Sequence, residues 1–400
     1  MPELNGGVWA TTGILAVYAL ELVLGSPSRA YYLVTSLAIV ATVLVSWRLY
    51  HSLLLSALIG LCFALTTYDY VSYALSGGMI FPLVITFAVF YFYCQYELFR
   101  ESDRSWLWWP LFAVSLLFYA LSYEGWLDSF VLQWIVYPIL AYLFYRRGDR
   151  PRMQRAIGIL LAVSVVAAAY IVVKLGMSYK TLHSAGLEAD TVFNYRRSYW
   201  LIALEDVIVN IITLFYTGLI TYLPPQLFNF SMSSWYFGND VIVGLQKGYH
   251  ATHTHLVAYS HLFLWRFYAG IAFALFSLLY LKALRRLIHN LTPATLSFFV
   301  FMTMVLVGSP THALVKTRPM HTTPLLGYQV HVSIIGVTFL VCYSLYYLFM
   351  NARTRWPVYL LLSLFCINLG YCAVAKPSLL SHMSNLSGLG TYPLPFGRGR

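Results

Sequence analysis

Apolar residues fill many long stretches of this 400-residue chain, and polar residues are confined to the short segments between them. A stretch of about 20 mostly apolar residues is long enough to cross a bilayer as a helix. The pattern therefore predicts an all-α fold, a polytopic membrane helical bundle of roughly eleven transmembrane helices. The predicted spans are 7–25, 30–47, 52–67, 78–97, 107–122, 129–145, 156–175, 257–281, 294–308, 329–350 and 357–375.

Composition supports a membrane protein and changes how the net positive charge is interpreted. Hydrophobic residues make up 60% of the chain and charged residues only 10%, whereas a soluble domain carries about 25% charged residues. The net charge of +11 would suit nucleic-acid binding. The basic residues, however, stand in short clusters between apolar spans, which is an orientation signal in membrane proteins. We therefore expect no nucleic-acid partner.

The basic clusters set the predicted orientation. The densest cluster lies at 146–155, so this loop is expected on the cytoplasmic side. Alternation of the spans then places the loops 48–51, 98–106, 282–293 and 351–356 on the same side. These five segments hold thirteen of the 25 Lys and Arg residues, as the assignment requires.

One further apolar stretch, 201–223, does not fit the alternation as a span. The segment 176–256 has to begin and end outside, and 224–256 is too polar to supply a second crossing. A re-entrant or interfacial helix is therefore predicted, since Glu205 and Asp206 would each cost at least about 2.5 kcal/mol at mid-bilayer. The alternative is an ordinary span with an unrecognised partner. The predicted organisation is an N-terminal module 1–175, an outer loop 176–256, a C-terminal module 257–375 and a loosely ordered tail 376–400.

Candidate acids collect in the predicted outer loops. The turn 123–128 carries Glu124 and Asp128, and a second short loop carries Asp69 between two tyrosines. Such carboxylates can act as a general base or orient one. They can equally be structural, with Asp69 as a helix cap and 123–128 as a polar turn that Trp126 anchors at the interface.

Histidines and cysteines give weaker signals. His253 and His255 are two residues apart, so in an extended segment both would face one way and could bind a metal. Anion binding and a solvated loop are the alternatives, and no metal site is assigned. No cofactor is identified with certainty, and a divalent cation stays open. The five cysteines all fall in apolar spans without a CxxC, so metal or disulfide use is not expected.

Four basic residues, Arg196, Arg197, Lys316 and Arg318, fall on the predicted outer face. They oppose the tendency of positive residues to stay inside. Arginine is suited to bidentate phosphate binding, and a lipid-linked phosphate would present its charge at this depth. The alternative is contact with lipid headgroups that only anchors the protein.

The order of elements resembles the GT-C glycosyltransferase superfamily. The resemblance rests on about seven spans, a long outer loop with an interfacial helix and further spans, on the hairpin 48–100 around Asp69, on the LSYEGWLD turn at 121–128 and on the Arg318-Pro319 loop. It implies transfer of a sugar from a polyprenyl-phosphate-linked donor to a glycan, lipid or protein acceptor on the non-cytoplasmic face. Asp69 or Glu124 would then deprotonate the acceptor, and Arg318, Lys316 and Arg196 would stabilise the leaving phosphate.

One departure from that family affects the catalytic assignment. GT-C enzymes usually carry a long first outer loop with an acidic motif, whereas the corresponding segment 26–30 contains no acid. Either an N-terminal piece is missing, or Asp69 or Glu124 takes the role, or the family is a different one.

Three other functions remain open. The segment 252–281 resembles the end of the large outer loop and the following span of O-antigen polymerases and ligases, with His253 or His255 as base and Arg196 or Arg197 on a lipid diphosphate. A transporter or flippase is the second, although paired halves are not detectable. A structural membrane subunit is the third. For each, membrane lipids are the surroundings, and a bacterial inner membrane is the expected location.

Overall fold

The computed structural model describes residues 19–20, 22–25, 27–65, 80–100, 105–122, 126–184, 260–307 and 331–351, with isolated positions between 356 and 370. These residues are almost entirely helical and contain no strand, which confirms the all-α class for the part of the chain described. The helices are α1 (Pro27–Tyr50), α2 (Leu53–Leu65), α3 (Ile80–Phe99), α4 (Ser105–Ser122), α5 (Trp126–Arg146), α6 (Arg150–Ser184), α7 (Ser260–His289), α8 (Pro293–Val307) and α9 (His331–Asn351).

Four of these helices contain a segment long and apolar enough to cross a membrane. The segments are Tyr32–Tyr50, Trp126–Arg146, Arg150–Val173 and Val332–Asn351. Shorter apolar helices occupy Leu53–Ala64, Leu83–Phe99, Trp106–Ser122 and Ala294–Leu306. Large apolar side chains such as Leu53, Val172 and Leu278 lie on the outside of the bundle. Many exposed apolar side chains of this kind are compatible with an integral membrane protein.

Short connections make sequential helices run antiparallel. Two residues join α1 to α2, and three residues join α5 to α6 and α7 to α8, which leaves each following helix no room except beside the preceding one. The α3 helix packs against α1 and α4, while α9 packs against α8, α2 and α3. The C-terminal helices thus close onto the N-terminal ones.

The turn between α5 and α6 is fixed by backbone groups and one carboxylate. Gly148 has a φ of 73°, and the amides of Gly148 and Asp149 donate to the carbonyls of Tyr145 and Phe144 at 3.0 Å each. This is the Schellman arrangement, which favours glycine at the left-handed position. The Asp149 carboxylate then accepts from the Arg152 amide at 3.1 Å and caps the start of α6.

Arginines from α6 tie its first turns to the end of α3. Arg152 Nε donates to the Phe99 carbonyl at 3.2 Å, and Arg155 Nη1 donates to the Leu98 carbonyl at 2.9 Å. The last carbonyls of a helix have no partner within the helix, so these guanidinium groups satisfy them. We call this end of the bundle, where α3 and α5 end and α6 begins, the basic end.

The remaining helices share the same two ends. Leu49 in the last turn of α1, Phe99 at the end of α3 and Leu296 in the first turn of α8 border one cavity. Near the other end of α8, Ser333 in the first turn of α9 approaches the Met304 and Val305 carbonyls at 3.4 and 3.3 Å. The helices α2, α4, α6 and α8 therefore end, and α3, α5, α7 and α9 begin, at what we call the opposite end.

The α8–α9 pair owes its close approach to a glycine. A Cβ atom on Gly336 would lie 2.8 Å from the Phe301 carbonyl oxygen and 2.7 Å from Met304 Cβ. No larger residue fits there without separating the helices, because real Cβ contacts are longer. One turn further on, the rings of Phe301 and Phe339 stack with centroids 4.8 Å apart.

Most predicted spans coincide with helices, and their ends differ. The span predicted at 129–145 is a helix from Trp126 to Arg146, and the span predicted at 156–175 lies within the 35-residue α6. Polar residues such as Lys180 and His183 end the apolar run but do not break a helix, so α6 continues to Ser184. The spans 7–25 and 357–375 lie largely outside the described residues, and the helix 201–223 lies wholly outside them. The total of about eleven spans and the outer helix stay predictions.

Candidate functional site

Only one of the predicted site residues falls within the part of the chain that the structure describes. That residue is Asp128, in the first turn of α5. The others lie outside the described residues, and their roles stay predictions. They are Asp69, Glu124, Arg196, Arg197, His253, His255, Lys316 and Arg318.

Asp128 is a buried carboxyl at a helix N-terminus. It is the third residue of α5 and its side chain has no exposure to the surroundings. The free amides and the dipole of a helix N-terminus stabilise a negative charge at this position. Local sequence explains the placement, because the aspartate stands just after Gly125, where α5 begins.

Polar and aromatic side chains from three helices surround Asp128. Tyr119 of α4 lies near Asp128, and its hydroxyl is 2.8 Å from that of Ser129. Trp126 is completely buried and meets the Tyr170 ring of α6 edge-on, with centroids 5.8 Å apart. The opposite end of the bundle thus holds a group of buried side chains made of Tyr119, Trp126, Asp128, Ser129 and Tyr170.

This geometry favours a supporting role for Asp128. A fully buried carboxyl does not meet an acceptor molecule that arrives from water or lipid. It sits instead four residues after Glu124, at the helix end that follows the predicted catalytic turn. Asp128 can therefore fix where that turn enters α5.

A second polar arrangement lies deeper in the bundle and was not predicted from the sequence. A partly open cavity of about 110 Å³ is enclosed by α1, α3, α5, α8 and α9. Its walls are mainly apolar, from residues such as Val45, Phe92, Val300 and Phe339. Its lining residues include no Asp, Glu, Lys, Arg or His. On α5 the lining begins at Leu132, one turn past Asp128, and it extends to the basic end at Phe99.

Two glutamines and two tyrosines form hydrogen bonds at or beside this cavity. Gln133 Nε2 donates to the Tyr91 hydroxyl at 3.2 Å, and the Tyr137 hydroxyl donates to Gln95 Oε1. Gln95 Nε2 is buried and makes no hydrogen bond of standard geometry to a described residue, although it lies close to the Tyr91 hydroxyl. Buried amides normally have partners because burial without a hydrogen bond is costly. A glutamine in each of two apolar spans was the sequence signal, and hydropathy alone could not show that α3 and α5 bring them together.

The described residues contain no group of three His, Cys, Asp or Glu side chains that could hold a metal ion. Two buried thiols do come together: Cys62 of α2 and Cys342 of α9 lie 3.4 Å apart between sulfur atoms. That separation is a thiol–thiol contact and is longer than the roughly 2.05 Å of a disulfide bond. The cysteine spacing in the sequence, 280 residues, gave no sign of this contact.

Comparisons with known proteins leave the chain without an assigned family. No family model matches it, and neither a curated protein nor a solved structure is significantly similar to it.

Proposed function

We propose that this chain is a multi-pass membrane glycosyltransferase that uses a polyprenyl-phosphate-linked sugar donor on its non-cytoplasmic face. The observation that carries the proposal is the separation of charge between the two ends of the bundle. Arginines gather at the basic end, around the junction of α3 and α6. The candidate acids, histidines and phosphate-binding residues all lie in, or next to, segments that connect helices at the opposite end.

The orientation follows from the positive residues. Lys and Arg concentrate on the cytoplasmic side of membrane proteins, which makes the basic end cytoplasmic and the opposite end external. The helix order supports this assignment, because the loops between α2 and α3, α6 and α7, and α8 and α9 all start from the opposite end. Asp69, Arg196 and Arg318 each belong to one of these loops.

The proposed reaction is a direct displacement at the anomeric carbon. Asp69 or Glu124 accepts the proton of an acceptor hydroxyl. At the same time, the oxygen of that hydroxyl forms a bond to the anomeric carbon. The bond between the anomeric carbon and the phosphate oxygen breaks, and the electron pair leaves with the polyprenyl phosphate. Arg196, Lys316 and Arg318 stabilise the charge of the leaving phosphate. Asp128 positions the turn that carries Glu124.

The test is sugar transfer by the full chain in proteoliposomes. Polyprenyl-phosphate hexoses and pentoses, radiolabelled in the sugar, are supplied with a membrane extract as the source of acceptors, and loss of the labelled donor is measured. Removal of a general base typically costs about 10²–10⁴-fold in rate. We expect such a loss in Asp69→Asn or Glu124→Gln, whichever residue is the base.

The matched control is Asp149→Asn at the basic end. Asparagine also caps helices, so this variant removes a carboxylate while keeping the start of α6, and transfer should stay near the wild-type rate. The proposal fails if wild-type chain consumes none of the donors, or if both carboxylate variants retain full activity. Loss of activity only in His253→Ala or His255→Ala would favour the polymerase or ligase reaction instead.

A further inference from the structure

Cys62 and Cys342 form a pair of buried thiols where α2 contacts α9. Their sulfur atoms are 3.4 Å apart, and neither residue has any exposed surface. The two residues are 280 positions apart in the chain, and they connect a helix of the N-terminal module to a helix of the C-terminal module. A covalent bond between these two sulfur atoms would therefore link the modules.

The packing around the pair holds both helices against α1. On α9, the residue after Cys342 is Tyr343, whose ring lies 5.5 Å from the Tyr50 ring of α1. On α2, a Cβ atom on Gly60 would collide with the Val43 side chain of α1, so these two helices are in close contact. Because the fold already brings the sulfur atoms together, bonding them costs little further chain entropy in the native state.

The surroundings of the pair favour one product of thiol oxidation. A disulfide bond is about 2.05 Å long, so closing the 3.4 Å separation of the sulfur atoms needs only a small side-chain movement. The bond removes two hydrogen atoms and adds no atom. Sulfinic and sulfonic acids add oxygen atoms, for which these fully buried side chains leave no water-sized space. Disulfide formation is therefore the oxidation that this site accommodates.

We propose that Cys62 and Cys342 are an oxidation site, at which a small uncharged oxidant of the peroxide class forms a disulfide that clamps α2 to α9. One sulfur atom attacks a peroxide oxygen, the O–O bond breaks, and the thiol proton leaves in a water molecule. The second sulfur atom then attacks the sulfur of the resulting sulfenic acid. The S–O bond breaks, and the second thiol proton leaves in a second water molecule. The two thiols lose two electrons, which reduce hydrogen peroxide to water.

Burial determines which reagents reach the pair. Cys62 lies within the apolar α2, and Cys342 lies in the middle of a segment apolar enough to cross a membrane. A charged reagent such as oxidised glutathione loses its hydration in these surroundings. Hydrogen peroxide is small and uncharged, and it can enter through local opening of the packing. The site is separate from the proposed sugar-transfer site and is independent of whether that proposal holds.

The experiment maps the thiols of the full chain in proteoliposomes. The chain is treated with hydrogen peroxide or with oxidised glutathione, unfolded in the presence of N-ethylmaleimide, and digested for peptide mass mapping. After hydrogen peroxide, we expect Cys62 and Cys342 to lose their N-ethylmaleimide adducts and to appear in one cross-linked peptide. After oxidised glutathione, both residues should keep their adducts.

Cys94 is the internal control for burial without a neighbouring cysteine in contact. It is a buried cysteine of α3 beside Ser115, and it should keep its adduct after either treatment. In Cys62→Ala, Cys342 should keep its adduct after hydrogen peroxide. If that variant does not fold, Cys342→Ala tests the pair from the other side, and the mapping of the wild-type chain needs no variant.

Thermal unfolding measures the clamp itself. The cross-link closes a loop of about 280 residues in the unfolded chain, which lowers the entropy of that chain. The melting temperature of the wild-type chain should therefore rise after hydrogen peroxide, and that of Cys62→Ala should not rise.

Two results would overturn the proposal. Adducts retained on both Cys62 and Cys342, at a peroxide concentration that oxidises the unfolded chain, would show that the folded pair is not an oxidation site. Equal formation of the linkage by oxidised glutathione would show that the pair does not select uncharged oxidants. The mapping needs no sugar donor, so its outcome is separable from that of the transfer assay.

Discussion

The two ends of the bundle satisfy their polar groups in different ways. At the basic end, charged side chains remain partly exposed while they bind helix termini: the Arg152 and Asp149 side chains pair at 3.1 Å with 31% and 28% of their surfaces accessible. At the opposite end, Tyr119, Asp128 and Ser129 are buried almost completely. The Asp149 and Arg152 side chains at one end are therefore partly hydrated, whereas the polar side chains around Asp128 are shielded from water.

Polar side chains therefore have different roles at the two ends of the bundle. A partly exposed ion pair contributes only about 0–1 kcal/mol, so the charged side chains of the basic end chiefly cap helices. A buried polar group is costly unless protein groups satisfy it. The cluster around Asp128 should consequently be sensitive to small changes, as expected of a support for the predicted catalytic turn.

The largest expected effect compares one tryptophan from each end. Trp126 at the opposite end is fully buried, whereas Trp106 at the start of α4 is 67% exposed. Replacing a buried tryptophan with alanine typically costs about 3–5 kcal/mol, so Trp126→Ala should lower the free energy of unfolding by that amount. Denaturant titration of the full chain in micelles measures it. Trp106→Ala is the control, and equal losses in both variants would remove the contrast between the ends.

An intermediate effect on the free energy of unfolding is expected for Arg155, which binds the end of α3 at the basic end. Arg155→Met leaves the Leu98 carbonyl without its guanidinium donor, and an unsatisfied buried acceptor costs about 1–3 kcal/mol. The same titration should show this loss. Arg150→Met removes an exposed arginine nearby and should change stability by less than about 0.5 kcal/mol. If both arginines matter equally, net charge rather than capping stabilises this end.

The smallest expected effect is a change in stability that has opposite signs when either of two glycines is replaced by alanine. Gly148→Ala forces an L-residue into the left-handed conformation of the α5–α6 turn and should destabilise by about 1 kcal/mol. Gly176 lies within α6 with open space around its Cα. There Gly176→Ala should stabilise by about 0.5–1 kcal/mol. Thermal unfolding of both variants measures the two signs. A higher melting temperature for Gly148→Ala would show that turn geometry does not limit the basic end, and a lower one for Gly176→Ala would contradict the open space at that position.

The sequence predicted the fold well where local chemistry decides it. A loop was predicted at 146–155 from its basic residues, and the α5–α6 turn lies at the start of that segment, where Gly148 ends one helix and Asp149 caps the next. Span positions followed from apolar length. The end of α6 could not be predicted from apolar length, because Lys180 and His183 lower the hydropathy without ending the helix.

Contacts between distant helices could not be predicted in this way. Hydropathy identifies α3 and α5 as apolar but does not say which faces meet, so the Gln95–Tyr137 and Gln133–Tyr91 pairs were missed. The candidate site was predicted from loop charges, and of its residues Asp128 alone is described. Its complete burial supports the positioning role proposed for it, and its catalytic role stays a prediction.

The cavity has a consequence for how the protein is made. Its walls come from α1, α3 and α5 on one side and from α8 and α9 on the other, and the ribosome synthesises α6 and α8 with residues 185–259 and all of α7 between them. At roughly 5–20 residues per second, that delay lasts on the order of several seconds. During biogenesis the nascent α1–α6 assembly carries an open groove with Gln95 and Gln133 on its wall. An insertase or the lipid itself must cover this groove until α8 and α9 arrive.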